Sequence, residues 1–150
     1  MKQETTDEIF YLWVLLRRSS NAILRARAIE LQKYKSSPIQ AAVLRAIIER
    51  KGKWMTAGEI AEYLFRKNQT VSGLLNRMEA NGLIKRKTDK DDNRIRRVMP
   101  TNKGKKLYEK IRHSEAITTI MSALSVEECE KFEKTLLLIK SKALEKIENS

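Results

Sequence analysis

The chain is 150 residues long, 41% hydrophobic and 33% charged, and its 31 Lys+Arg against 19 Asp+Glu give a formal net charge of +12. That composition is too apolar for a disordered chain and too charged for a membrane protein, and the length suits one domain. A single cysteine, Cys129, rules out an intramolecular disulfide and a cysteine-based zinc site. A single histidine, His113, leaves little room for metal chemistry or a Ser-His-Asp relay, so no metal and no cofactor are expected. The longest apolar run, Ile9–Leu16, is far short of the roughly 18 residues that span a bilayer. Glu4, Asp7 and Glu8 precede it where a signal peptide would be basic. The expectation is a soluble cytoplasmic protein without a membrane partner.

The charge is unevenly placed. Residues 66–112 hold 15 basic and 5 acidic side chains, whereas residues 1–65 hold 11 and 7, and residues 113–150 hold 5 and 7. A concentrated positive block raises local affinity for anions, and the commonest large anion in a cytoplasm is nucleic acid.

With five glycines and two prolines there are few breaks, so most of the chain is expected to be helix. A first helix runs over 6–34, and its start is apolar almost all round (Ile9, Phe10, Leu12, Trp13, Val14, Leu15, Leu16). On it, Trp13 and Arg17 stand one turn apart. They could form a stacking wall and an anion clamp for an aromatic acid, or they could be dimer core and an ordinary ion-pair partner. Ser37-Pro38-Ile39-Gln40 opens a second helix with a capping box and a first-turn proline. Thr56 and Glu59 make a second box, opening a short third helix with Ile60, Ala61 and Leu64 inward.

The fourth helix, 68–81, has the clearest pattern. Val71, Leu74, Leu75 and Met78 form one apolar stripe, opposite Gln69, Thr70, Gly73, Asn76 and Arg77. Asn81-Gly82 ends it, with Gly82 in the left-handed cap position. Leu83–Thr88 and Ile95–Met99 read as two short strands around the polar loop Asp89–Arg94. That hairpin carries Lys85, Arg86, Lys87, Lys90, Arg94, Arg96 and Arg97. Thr101 caps a fifth helix bearing Leu107, Ile111 and later Ile117. Ser125 and Glu128 make a third box, opening a sixth helix with Cys129, Phe132, Leu136, Ile139, Ala143 and Ile147 near heptad spacing. Cys129, four residues into that helix, is placed to staple onto Leu124. It reads as packing.

This order of elements is a winged helix-turn-helix: mainly α with a small β-hairpin wing, in one domain over 1–150. The DNA-reading lobe spans 38–100, and the N- and C-terminal segments 6–34 and 102–149 supply dimerisation helices. A helix with Gln, Thr, Ser, Asn and Arg on its outer face offers donors and acceptors to base edges in the major groove. The basic hairpin beside it reaches phosphates or the minor groove. The expected DNA-contacting residues are Gln69, Thr70, Ser72, Gly73, Asn76 and Arg77 on the recognition helix, 68–81. Lys85, Arg86, Lys87, Arg94 and Arg96 belong to the wing, 84–99. The apolar start of the first helix, with Leu137, Leu138 and Leu144 of the sixth, exceeds what one small domain can cover. A homodimer on a pseudo-palindromic operator follows from that excess.

The run Thr70–Arg86, then Asp92-Asn93-Arg94 and Thr101-Asn102-Lys103-Gly104, resembles the multiple-antibiotic-resistance regulator (MarR) family over nearly the whole chain. The resemblance implies a homodimeric transcriptional regulator, a repressor released by a small phenolic or other lipophilic ligand. It implies that Arg94 is the wing-tip arginine and Asp92 the acidic residue bracing it. Two positions depart from the family pattern. Pro100 stands where a leucine is usual, and Gly73 where many members carry a larger polar residue. An enzyme is excluded on inventory: there are no paired carboxylates in an apolar setting, no Gly-rich phosphate loop and no nucleophile motif. The competing class is a winged helix used for protein contact, or a constitutive architectural DNA binder without ligand control.

Overall fold

Side-chain capping sets where the helices begin. A computed structural model describes residues 6–150, in the order α1 (Thr6–Leu31), a 3-10 turn (Gln32–Tyr34), α2 (Pro38–Glu49), α3 (Ala57–Tyr63) and α4 (Asn68–Ala80). The hairpin β1 (Ile84–Thr88) and β2 (Arg96–Pro100) follows, then α5 (Asn102–Ile111), α6 (Glu115–Met121) and α7 (Val126–Glu148). All three predicted capping boxes form. Ser37 with Gln40, Thr56 with Glu59 and Ser125 with Glu128 each satisfy two backbone N–H groups reciprocally, stabilising each helix start by about 1 kcal/mol.

At the end of α4, the Gly82 N–H donates to the Glu79 carbonyl and the Leu83 N–H to the Met78 carbonyl, both at 2.9 Å. Gly82 takes the left-handed φ of +71° that this closure needs.

The strands pair antiparallel from Ile84↔Pro100 to Thr88↔Arg96. Expected to stop at Met99, the second strand continues through Pro100, whose missing N–H is harmless at the last rung. The chain then leaves by a bond from the Thr101 N–H to the Leu83 carbonyl at 3.1 Å. A third, one-residue strand lies outside the sequence reading: Met55 and Val98 exchange backbone bonds of 3.1 and 2.8 Å.

Two helix boundaries differ from expectation. The first helix is α-helical only to Leu31, and the 3-10 turn after it ends at Lys35, whose φ of +51° lets its N–H return to the Gln32 carbonyl. Ile117 does not continue α5, because the chain breaks over residues 112–114. There the Arg27 guanidinium takes the Ile111 carbonyl, and the Ser114 hydroxyl donates to Glu30 at 2.6 Å. Both α1 groups hold the end of α5 in place, so a new helix starts at Glu115.

Residues up to Ser114 form one compact unit and Glu115–Ser150 a second. The core of the first joins Val43, Leu44 and Ile47 of α2 with Ile60 of α3, Leu83, Ile84 and Val98 of the hairpin, and Tyr108 of α5. The α4 stripe Val71, Leu74, Leu75 and Met78 is buried in it as its spacing predicts. By contrast, α7 buries no residue, and α1 buries only Leu31. Among the described residues, no helix is long and apolar enough to cross a membrane.

Candidate nucleic-acid interface

Helices α3 and α4 are joined by a tight turn in which Phe65 has a φ of +51° and the Arg66 N–H closes on the Ala61 carbonyl at 2.9 Å. Helix α4 has Lys67 at its N-cap and no side-chain cap, in contrast to α2, α3 and α7. Its first N–H groups and the positive end of its dipole are therefore left for an external acceptor such as a phosphate. Burying the apolar stripe turns the opposite face outward, leaving Gln69, Thr70, Ser72, Asn76 and Arg77 exposed and Gly73 half-buried. A methyl group at Gly73 would meet first the Arg77 guanidinium, at 3.7 Å. The Arg77 side chain thus lies back over a surface that the glycine leaves clear.

The wing is fastened to this helix by a residue that the sequence reading gave to DNA alone. Arg86 donates to the Asn76 side-chain oxygen at 2.9 Å and approaches Glu79 at 3.4 Å. One arginine therefore sets the distance between reading helix and wing, and leaves the Asn76 NH2 as that residue's outward donor. Lys85, Lys87 and Arg96 are exposed along the hairpin.

At the tip, Asp92 accepts the Arg94 backbone N–H at 2.9 Å and a two-pronged guanidinium pair at 3.0 Å on each prong. The Arg94 side chain is still 90% exposed. Hydrogen bonds from that guanidinium, and then from the backbone N–H, hold the Asp92 carboxyl below the usual carboxylate range. Asp92 therefore fixes the base of Arg94 while its far edge points to solvent.

Beneath the tip lies an assembly with no periodic signal. Asp89 is buried at 7% exposure, accepts the N–H groups of Asp91 and Asp92 at 2.8 and 3.2 Å, and pairs with Arg97. The Asp91 N–H foremost, then that of Asp92 and the Arg97 guanidinium, hold its carboxyl below the usual range. The Arg97 guanidinium in turn lies 4.3 Å from the centre of the Trp54 ring, and Arg50 flanks the same ring at 6.0 Å. Arg97, counted from sequence among the outward charges of the hairpin, is instead part of its foundation. The available clue was the aspartate opening the loop, a residue that caps its own turn.

Trp13 and Arg17 do meet, with the guanidinium 5.5 Å from the ring centre. They line a surface recess made only of α1 residues, and Trp13 is 52% exposed. Pro38 and Arg45 share a cavity of about 290 Å³ with Leu24 and Arg27 of α1 and with Tyr108 and Arg112 at the α5 end. Cys129, read from the sequence as packing onto Leu124, is instead exposed on α7, beside Phe132 and Leu136.

Comparison with known proteins agrees with this geometry. Residues 37–95 match the model of the MarR family. Over 119 residues the chain is 27% identical to YsmB of Bacillus subtilis (strain 168), an uncharacterized HTH-type transcriptional regulator, covering 77% of this chain and 80% of that protein. The fold is similar to that of MepR of S. aureus in its DNA complex, with a TM-score of 0.78 and 27% identity over 93% of this chain and 99% of that one. It is also similar to an organohalide-sensing transcriptional regulator in its 2,4-dichlorophenol-bound form, with a TM-score of 0.80 and 23% identity over 96% and 88% of the two chains. The family whose model matches the reading lobe, and the proteins whose fold matches nearly the whole chain, are MarR family transcriptional regulators, and it is these that this chain resembles.

Proposed function

We propose that the protein is a cytoplasmic homodimer that binds a pseudo-palindromic operator as a repressor and is released by a small aromatic or lipophilic ligand. The observation that carries the reading is the uncapped α4, its polar face exposed and clamped by Arg86 to a wing ending in an exposed Arg94. In this reading Gln69, Thr70, Ser72, Asn76 and Arg77 face base edges, with Gly73 admitting the backbone closely. Lys85, Lys87, Arg94 and Arg96 meet phosphates or the minor groove. The DNA-bound state of MepR supports the partner.

The dimer is inferred from apolar surface that each unit leaves open: Phe10, Leu12 and Trp13 on α1, and Phe132, Leu136, Leu137 and Leu138 on α7. The effector is assigned to the cavity between α1, the start of α2 and the end of α5, where Arg27, Arg45 and Arg112 surround apolar Leu24 and Pro38. The recess at Trp13 and Arg17, by contrast, is walled by α1 residues alone. The dichlorophenol-bound relative supports a ligand of this chemistry.

The test is selection of bound duplexes from a random pool, with and without aromatic acids. Inverted half-sites about one helical turn apart, lost in the presence of acid, are expected. Enrichment of a single unrepeated half-site, or of no sequence at all, would overturn the proposal.

A further inference from the structure

A further cavity of the first unit lies behind the C-terminal end of the reading helix. It is open, about 830 Å³, and runs between the 3-10 turn, the C-terminal end of α4 and the first turns of α5. Five lysines line it: Lys33, Lys35, Lys103, Lys106 and Lys110. Lys103, Lys106 and Lys110 recur at i, i+3 and i+7, so the helix itself stacks them on one face. No carboxylate is among the described residues that line the cavity, and none of the five lysines enters an ion pair with a described residue.

On α7, by comparison, two of the five lysines find a carboxylate. There Lys131 is matched by Glu127 at 2.6 Å and Lys142 by Glu145 at 2.9 Å. The one acid on α5, Glu109, is turned to Arg112 at 3.5 Å. Lys35 adds its charge from a left-handed residue, a conformation that glycine or asparagine adopts more readily. Asn81, on the cavity wall, lies about 17 Å along the helix axis from Thr70 and about 6 Å from Arg77 at 1.5 Å per residue, so the lysines stand behind the C-terminal end of the reading helix. The wall is not purely basic either, because Tyr34, Leu83 and Leu107 supply aromatic and aliphatic surface. The volume lies within the range of small-ligand sites, roughly 300–1,000 Å³.

We propose that this cavity binds a nucleoside di- or triphosphate, the phosphates held by the lysines and the base displacing Lys33, whose ammonium lies 5.1 Å from the centre of the Tyr34 ring, to rest on Tyr34 and Leu107. Lys103 has a second role there. Its ammonium already donates to the Asn81 carbonyl at 2.7 Å, at the C-terminal end of α4, so a bound phosphate and the reading helix share one cation.

The test is calorimetric titration of the full chain with ATP and with pyrophosphate, alongside operator affinity measured without nucleotide. ATP should bind once per chain with micromolar affinity at 0.15 M salt, about tenfold tighter than pyrophosphate. The double variant Lys106→Glu/Lys110→Glu should weaken ATP at least about tenfold and lower operator affinity no more than the charge-matched variant Lys51→Glu/Lys105→Glu does. Lys51→Glu/Lys105→Glu, with the same change in net charge away from the cavity, should leave ATP binding intact. Tyr34→Ala should weaken ATP and spare pyrophosphate. Absence of ATP binding at millimolar concentration, or an equal loss in the two double variants, would overturn the proposal. So would operator affinity falling in step with ATP in Lys106→Glu/Lys110→Glu, since the lysines would then belong to the DNA footprint. Intact operator binding with no nucleotide binding leaves the regulator reading standing.

Discussion

Replacing Gly104 by alanine should destabilise the protein, although alanine is the better helix former. Gly104 sits in the first turn of α5, its N–H bonded to the Thr101 hydroxyl at 3.0 Å. A Cβ built there falls 2.1 Å from the Leu83 carbonyl oxygen and 3.3 Å from a Leu44 methyl. Carbon and oxygen in contact need about 3.3 Å, so helix and strand entry must part by about 1 Å. That carbonyl is backbone, held by the Thr101 N–H, and cannot swing aside as a side chain would. Overpacking of this kind costs about 3 kcal/mol, at the upper end because the obstacle is rigid, against about 1 kcal/mol gained in helix propensity. The net loss is about 2 kcal/mol, or a melting point lower by roughly 4–8 °C for a chain of this length. Gly73→Ala is the matched control. Its added methyl meets only the flexible end of Arg77 at 3.7 Å, so the propensity gain of about 1 kcal/mol survives. Urea unfolding followed by circular dichroism, at one fixed protein concentration because a dimer's stability depends on it, reads both variants. One substitution carries two signs. Gly104→Ala matching or exceeding the parent, or Gly73→Ala losing stability, would refute the reasoning.

Other outcomes follow from the same geometry. Arg86→Ala should weaken operator binding more than Lys87→Ala while costing only about 1 kcal/mol of stability, because it frees the wing from Asn76 and Glu79; gel-shift titration and urea melts check this. The Asp89 carboxyl is held below its usual range, so its contribution is present above the unfolded value near pH 4 and lost as pH falls through the folded value. The acid limb of the stability curve should therefore flatten in Asp89→Asn. Tyr108 is pushed up to about 12, first by burial and then by its bond to Glu49, so its stabilisation is full below about pH 10 and lost as pH rises towards 12. Tyr108→Phe should remove that part of the alkaline decline in pH-dependent melts. If each subunit neutralises four or five phosphates, log K for operator binding should fall with log salt at a slope near −8.

What could be read in the sequence was local. The capping boxes at Ser37, Thr56 and Ser125, the Gly82 closure and the α4 stripe are each set by residues within one or two turns of each other. What could not be read depends on partners far apart in the chain. The break between α5 and α6 is held by Arg27 reaching the Ile111 carbonyl across 84 positions, and such a bond leaves no trace in periodicity. The bridge from Met55 to Val98 and the stacking of Arg97 on Trp54 are of the same kind. Charge counting failed at Arg97 for a related reason. It registers the presence of a guanidinium but not the direction of its side chain, and Asp89 turns this one inward.

Four of the five acidic residues of the basic block are committed to arginines. Glu79, Asp89, Asp92 and Glu109 each pair with an arginine: Arg86, Arg97, Arg94 and Arg112. Planar, permanently charged guanidinium groups thereby serve as the joints, while the lysines between them keep compact, mobile ammonium groups without a described carboxylate. Chemistry directed at amines, such as acetylation, would remove the lysines' share of the block's pull on phosphate, leave Arg66, Arg77 and Arg96 charged, and keep each joint intact. Attraction and architecture are in this way separately adjustable in one short stretch of chain.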